Sequence, residues 1–494
     1  MFATVAFSSL STFLLFNVVY ATDGPTLQTR GVIQTLSVCE EIGKAVSSQS
    51  AVFYPLQSSY TGDIEHYMSS SSQLSTCSVE PGTPEDVGAV VCFFSVLNQA
   101  VQVKGGGHAS NPGFSSTTGV QITMSRFSGV TYHSDSQTVD IGSGLIWDDV
   151  YAALEPYGVN VVGGRVTGVG VAGFTLGGGF SFLSNQYGLT VDTVMAYQLV
   201  LPNGTISDII ASSNPDLFFA LKGGFNNFGI VTQFTLKTFP QGQVWGGTIL
   251  ALGEFDKIAT ATANFYANVT DPKASIISTF NWDLGIHLGQ VSLFYDGSSP
   301  PDGMFDEFIA IPAVSQDISS RSFLSLVLSS VSNETSGLRG YFDTVSLYDI
   351  TPSMLTAVSN ETTYWASQLA LEVPGLFLSY DIEPFLPSML SHGSDSAWPP
   401  NRDRAILPMN IYYAWDLSLS DTKMGNTMRT SSSHLTELAV LGGQDVTDAP
   451  LYPNYALYGT PLSRMYGDNL PRLQAIKAQY DPNNVMGLAG GWKF

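Results

Sequence analysis

Charge is scarce in this chain, and what there is carries mostly one sign. Charged residues make up 12% of 494, with 41 acidic against 19 basic, for a formal charge of −22. A surface that acidic repels nucleic acid and anionic lipid, which sets both aside as partners. Cysteine is scarcer still, with Cys39, Cys77 and Cys92 alone. No CxxC pair or Cys/His cluster has zinc-ligand spacing, so no metal is expected. GxSxG and HExxH are also missing, which removes the serine-hydrolase elbow and the zincin signature. Beyond the first twenty or so residues, no apolar run is long enough to cross a bilayer. The hydrophobic fraction of 44% is that of a globular chain long enough for two or three domains.

The one long apolar run is "FATVAFSSLSTFLLFNVVYA", closing on Val19-Tyr20-Ala21. Small residues at the −3 and −1 positions suit signal peptidase, so residues 1–21 are expected to be a cleaved signal and the protein to be secreted. Asn203, Asn268, Asn333 and Asn360 each open an N-x-Thr sequon, in keeping with N-glycans in a secretory route. In an oxidising compartment three cysteines make one disulfide and one thiol left over, and spacing alone leaves the pairing open.

Glycine is the abundant residue with chemical meaning. "AVQVKGGGHAS" reads as a short strand running into Gly105, Gly106, Gly107 and His108. A helix opening at Pro84-Glu85-Asp86 precedes it, with acids in its first turn. Eight more glycines fall between 163 and 179, among them Gly168-Val-Gly-Val-Ala-Gly173. That is a literal GxGxxG, but a Rossmann site needs a helix after the third glycine, and Gly177 to Gly179 would break it. Two glycine loops instead imply something large lying against bare backbone. A ligand with two phosphates qualifies, because loop N–H groups bind phosphate without lysine. "VMAYQLVLPNGTISDII" is a hairpin around Pro-Asn-Gly, and texture changes near Pro240 to alternating strands and amphipathic stretches. From about 450 the character shifts again, with "YPNY" and a helix over "SRMYGDNLPRLQAIKAQYDP".

The motifs "VKGGGHASNPGFSSTTGVQITMSRF", "GSGLIWDDVYAALEPYGVNVVGGRVTGVGVAGFTLGGG", "YGLTVDTVMAYQLVLPNGTI", "DLFFALKGGFNNFGIVTQFTLKTFP", "YPNYA" and "YDPNNVMG" come in a specific order. In that order the chain resembles the FAD-linked oxidases of the berberine-bridge-enzyme-like group, in the vanillyl-alcohol-oxidase superfamily. The resemblance implies an α+β fold. A two-lobed PCMH-type FAD-binding domain would use residues 22–240 and 450–494, and residues 241–449 would form an inserted substrate domain, an antiparallel sheet backed by helices. It implies covalent FAD, attached through the ring of His108, with Lys104 and Gly105 to Gly107 cradling the pyrophosphate. Gly170, Val171, Ala172 and Gly173 would be the second FAD loop, Ile230 and Val231 would cover the far side, and Asn454 would help hold the ring. Many relatives add a cysteinyl link. Here Val166 stands at that position, so a single histidyl link is expected.

By the same resemblance the chain is expected to be a secreted oxidase. It would take two electrons from an alcohol or another secondary metabolite and pass them to O2, giving H2O2. Two other readings are open: a carbohydrate oxidase forming lactones, and a flavoprotein cyclase without net oxidation. The flavin carries the redox chemistry, so the protein must supply a proton acceptor for the substrate hydroxyl. Tyr452 and Tyr455 of "YPNY" are the candidates, each needing help, because a free tyrosine has a pKa of about 10.

Overall fold

The computed structural model describes residues 38–97, 100–330 and 334–494. The expected signal segment and Asn333 lie outside these residues. Four short strands come first: β1 (Ala51–Phe53), β2 (Cys77–Glu80), β3 (Val101–Lys104) and β4 (Val120–Thr123). They form a mixed sheet in the order β1-β2-β4-β3, with β2, β4 and β3 parallel. Helix Pro84–Leu97 crosses between β2 and β3, as parallel pairing requires. Its first-turn acid Asp86 accepts hydrogen bonds from the Ser47 N–H and hydroxyl and from the Ser50 hydroxyl. A disulfide joins Cys39 to Cys77, which settles the pairing and ties the helix over 38–45 to β2.

A second sheet is wholly antiparallel. It contains β5 (Val130–His133), β6 (Thr138–Gly142), β8 (Val194–Val200), β9 (Ile206–Ile209) and β10 (Ile230–Lys237), in the order β5-β6-β10-β8-β9. β8 and β9 are the hairpin expected around Pro-Asn-Gly, and Asn203 is exposed in its turn. Between β6 and β8 run helix Trp147–Leu154, β7 (Val159–Asn160) and the glycine-rich segment. Gly158 caps that helical stretch at φ +63°, a conformation open to glycine at little cost. β7 pairs with β11 (Phe239–Pro240), where the chain leaves this lobe.

The third sheet is the largest. It comprises β12 (Val244–Leu252), β13 (Ala274–Asp283), β14 (Ile286–Tyr295), β15 (Ser315–Arg321), β16 (Arg339–Leu347), β17 (Phe377–Ile382) and β18 (Leu407–Trp415). Their order is β15-β12-β14-β13-β17-β18-β16, antiparallel throughout. Helices Phe255–Asn268, Pro352–Leu369 and Asp421–Leu441 pack against it on the outside. All nine residues of β18 are buried, so the other face of the sheet is covered as well. One continuous apolar core runs from Val139 to Trp492 and joins this sheet to the glycine-rich lobe.

The last residues return to the first half of the chain. Trp492 Nε1 donates to the Pro453 carbonyl at 3.1 Å, and Asn227 Nδ2 donates to the Trp492 carbonyl at 2.9 Å. The helix expected over 463–482 is two helices, Leu462–Tyr466 and Leu470–Tyr480. Gly467 at φ +46° breaks it, and Pro471 then sits in the first turn of the second helix, where its missing N–H costs nothing.

Candidate active site

A cavity of about 760 Å³ lies between the two glycine loops and the inner face of the large sheet. That volume falls in the ordinary range for a small-molecule or cofactor site. Both loops reach it, and they touch each other backbone to backbone. A Cβ on Gly106 would stand 2.4 Å from Gly170 Cα, and one on Gly170 would stand 2.6 Å from Gly106 N. Gly107 bends the first loop at φ +73° and receives a hydrogen bond from Tyr67 N–H on its carbonyl. These glycines are demanded by the folded chain itself. Gly173 is different. It lines the cavity with ordinary backbone angles, and a Cβ there would meet nothing within 4 Å. Its bare surface leaves room for a ligand.

His108 leaves the first loop and stacks on Tyr67, with centroids 4.2 Å apart and planes 10° apart. The Phe342 ring lies parallel to it with centroids 6.0 Å apart. The ring is thus held in one plane at the cavity wall. Its Nε2 is buried without a hydrogen-bond partner among the described residues. Burial lowers the pKa of this imidazole to about 4, so the ring is neutral at pH 7 and keeps a nucleophilic lone pair. An orphaned buried acceptor is costly unless something meets it. Covalently attached FAD fits this residue, and a phosphate bridge fits the N–H groups of the two loops.

The "YPNY" segment delivers both tyrosines to the same cavity, but to different company. The Tyr452 oxygen accepts hydrogen bonds from Gly179 N–H at 3.1 Å and Asn454 Nδ2 at 2.8 Å. Asn454 Nδ2 also donates to the Phe174 carbonyl at 3.1 Å. This pair therefore braces the second glycine loop. Burial pushes the Tyr452 hydroxyl up to about 12. Tyr455 donates to Glu383 Oε1 at 2.9 Å, and its oxygen receives Arg165 Nη2 at 3.0 Å. Arg165 Nη2 also lies 2.7 Å from Glu383 Oε2, both side chains being nearly sealed from solvent. Burial raises the Tyr455 hydroxyl well above the ordinary value, and the Glu383 charge raises it further. Burial raises the Glu383 carboxyl too, with the Arg165 charge working against that rise. Tyr455 therefore rests protonated, donating to a Glu383 side chain that is paired with Arg165.

Reading the chain alone passed over Arg165 and Glu383. Arg165 stood in the quoted loop Gly164-Arg-Val but carried no motif of its own. Glu383 had a signal: in "FLSYDIE", Ser379, Asp381 and Glu383 put a polar group at every second position of a buried strand. That spacing places them on one face, and all three line the cavity.

Gly105, Gly106, Gly107, His108, Gly170, Ala172, Gly173, Ile230, Val231, Tyr452, Asn454 and Tyr455 all meet at this cavity, as does Val166. Two expected contacts do not. Lys104 ends β3 pointing away from the cavity, where its ammonium donates to the Gly62 and Asp63 carbonyls at 2.9 and 3.0 Å. Val171 is wholly buried in the core, and its N–H is bonded to the Leu145 carbonyl. Neither lines the cavity between the loops. Among the described residues no His/Cys/Asp/Glu cluster could hold a metal ion, and no helix is long and apolar enough to cross a membrane.

Comparison with known proteins agrees with this geometry. Residues 75–209 match the family described as FAD binding domain, and residues 452–489 match the family described as berberine and berberine like. An uncharacterised FAD-linked oxidoreductase of Arthroderma benhamiae is 36% identical over 371 residues, covering 70% of this chain and 71% of that protein. A FAD-dependent monooxygenase of Aspergillus calidoustus is 31% identical over 458 residues, covering 87% and 86%. Among solved structures, the carbohydrate oxidase of Microdochium nivale superposes with a TM-score of 0.73 at 21% identity, covering 92% of this chain and 99% of that one, which speaks to shared fold alone.

Proposed function

The chain belongs to the berberine-bridge-enzyme-like FAD-linked oxidoreductases, and from that premise we propose that it is an oxidase that removes two electrons from an alcohol and delivers them to O2 as H2O2. The observation that carries this reading is the Tyr455–Glu383 hydrogen bond, set in the cavity that holds His108 and both glycine loops. Bound FAD supplies the two-electron acceptor and the route to dioxygen. Everything else falls to the chain. A substrate hydroxyl beside Tyr455 gives its proton to the phenol oxygen while the phenol passes its own to Glu383. The proton comes to rest on a carboxylate, and no free tyrosinate is needed. Arg165 fixes both partners and balances the charge before the proton arrives. Tyr452 is then a positioning residue for the second loop.

The same proposal has residues 22–240 and 450–494 holding the cofactor and residues 241–449 forming the substrate wall. His108 carries the single covalent link, since it lines the cavity with a neutral, buried Nε2 that no described residue bonds, and Val166 offers no thiol. Export with glycans is supported by the Cys39–Cys77 disulfide and by the exposure of Asn203, Asn268 and Asn360. An endoglycosidase that leaves the exported protein's mass unchanged would overturn the glycan assignment. The oxidase reading itself is tested by mixing the yellow holoenzyme with a panel of alcohols without oxygen. At least one alcohol should bleach the flavin, and air should restore it with one H2O2 per cycle. Return of the colour without peroxide would sink the oxidase reading.

A further inference from the structure

The wall of the cavity facing the cofactor loops has a chemistry of its own. In the large sheet, Thr279 of β13, Asp381 of β17 and Asn410 of β18 stand side by side in register. Asn410 Nδ2 donates to Asp381 Oδ2 at 3.1 Å, and the Ser379 hydroxyl donates to Oδ1 at 2.8 Å. That bond fixes the orientation of the Asn410 amide and leaves its Oδ1 as a buried acceptor with no donor. Asn281 Oδ1, two residues along β13, is a second buried acceptor with none. Among the described residues Asp381 forms no ion pair with a basic side chain, whereas neighbouring Glu383 has Arg165. Burial pushes the Asp381 carboxyl up to about 6, which still leaves it ionised at neutral pH.

The next row of the same sheet face is aromatic. Tyr412 pairs with Ser379 on one side and with Phe342 on the other, and the Phe342 and Tyr412 rings lie 4.8 Å apart. Phe377 reaches Tyr412 at 5.5 Å, and all three line the cavity. A buried carboxylate and one unmatched acceptor on one row, with a second unmatched acceptor and ring faces on the next, is the chemistry that holds an ammonium ion. Neutral hydroxyls would satisfy the acceptors but gain little from the rings. The wider field points the same way. Asp283, Glu334, Asp381, Glu383 and Asp416 line the cavity against Arg165 as the one basic side chain among the described residues, and Glu383 occupies that arginine. Such a cavity draws in cations and turns anions away.

We infer that this wall is an amine subsite, and that the substrate is an amino alcohol whose protonated nitrogen binds Asp381, Asn410 and Asn281 beside the Phe342, Phe377 and Tyr412 rings. The inference rests on the proposed alcohol oxidation for the placement of the reacting hydroxyl.

The test uses probes that have no hydroxyl to oxidise. Phenethylamine, phenethyltrimethylammonium and the neutral (2-methoxyethyl)benzene are titrated into the holoenzyme by calorimetry at pH 7.5. Phenethylamine should bind at least tenfold tighter than the ether, with the quaternary ion between them because it keeps the ring contacts and loses the hydrogen bonds. Asp381→Asn should bring the amine-to-ether ratio near one. Asn281→Leu, which leaves the carboxylate in place, should lower amine affinity by several-fold and leave the ether unchanged. An ether that binds as well as the amine to the wild-type protein overturns the inference without any variant. So does an amine preference that survives Asp381→Asn. Neither result depends on catalysis: tight amine binding with no alcohol able to reduce the flavin would condemn the oxidase reading and leave the subsite standing.

Discussion

Replacing Tyr455 by Phe removes one oxygen and almost no volume, and that oxygen makes two contacts. It donates to Glu383 at 2.9 Å and accepts from Arg165 at 3.0 Å. Arg165 and Glu383 still meet directly at 2.7 Å, so the charge pair survives the substitution. The folding cost is therefore that of two charge-assisted hydrogen bonds, about 3–6 kcal/mol. The kinetic cost is separate. Without the phenol, the substrate proton has no group in contact to receive it, and Glu383 is one residue too far back. Loss of a positioned general base slows the step by about 10²–10⁴-fold, or about 3–5 kcal/mol on the barrier. Stopped-flow reduction of the flavin under nitrogen reads this rate alone, free of the oxygen half-reaction. The variant's flavin spectrum should match the wild type, since Tyr455 does not brace either loop. Tyr452→Phe is the contrast: a perturbed spectrum or looser flavin, with a smaller loss of rate. Wild-type reduction by Tyr455→Phe, or a greater loss in Tyr452→Phe at unchanged spectrum, refutes the proton route.

Three further outcomes are expected. His108→Ala should still take up FAD through the loops but release it on acid precipitation, whereas the wild-type pellet stays yellow; a wild-type pellet that turns white contradicts the covalent link. Gly173→Leu fills space that the chain leaves open, so it should fold within about 1 kcal/mol of wild type and yet purify with little flavin; full flavin occupancy would show that the ligand lies elsewhere. Asp381→Asn should stabilise the protein at neutral pH. The Asp381 carboxyl is raised to about 6 in the fold, above its ordinary value near 3.8, so its ionised form opposes folding at neutral pH. Removing that charge should add about 1–3 kcal/mol at pH 7.5, with the gain shrinking through pH 6 and gone below pH 4. Equal melting of the two proteins at pH 7.5 would contradict this.

The cofactor half of the site was legible in the chain because backbone does the work there. A glycine that must touch another backbone leaves a trace at a known position, and Gly105 to His108 line one cavity with Gly170, Ala172 and Gly173. Lys104 and Val171 do not line that cavity, since a motif names neighbours in sequence without saying which side each faces. "YPNY" offered two tyrosines as equal candidates for the proton acceptor. What separated them was Glu383, some seventy residues upstream, and Arg165, nearly three hundred upstream. Partners so distant are set by sheet register and lobe packing, which local pattern does not encode. Asp381 escaped for a related reason. A lone acid in an alternating strand reads as the solvent face, and only the covering lobe turns that face into a cavity wall. The broken helix at Gly467 was a plainer miss, because the glycine and Pro471 were both visible.

The central claim, that the chain binds FAD to oxidise its substrate and does not insert oxygen into it, comes down to where the atoms of dioxygen go. Turnover of a substrate alcohol under ¹⁸O₂ in ordinary water answers this by mass spectrometry of the product and the peroxide. The account predicts both labelled atoms in H2O2 and none in the organic product. A product heavier by one ¹⁸O, with peroxide missing in equal amount, would make this protein a monooxygenase and contradict the account.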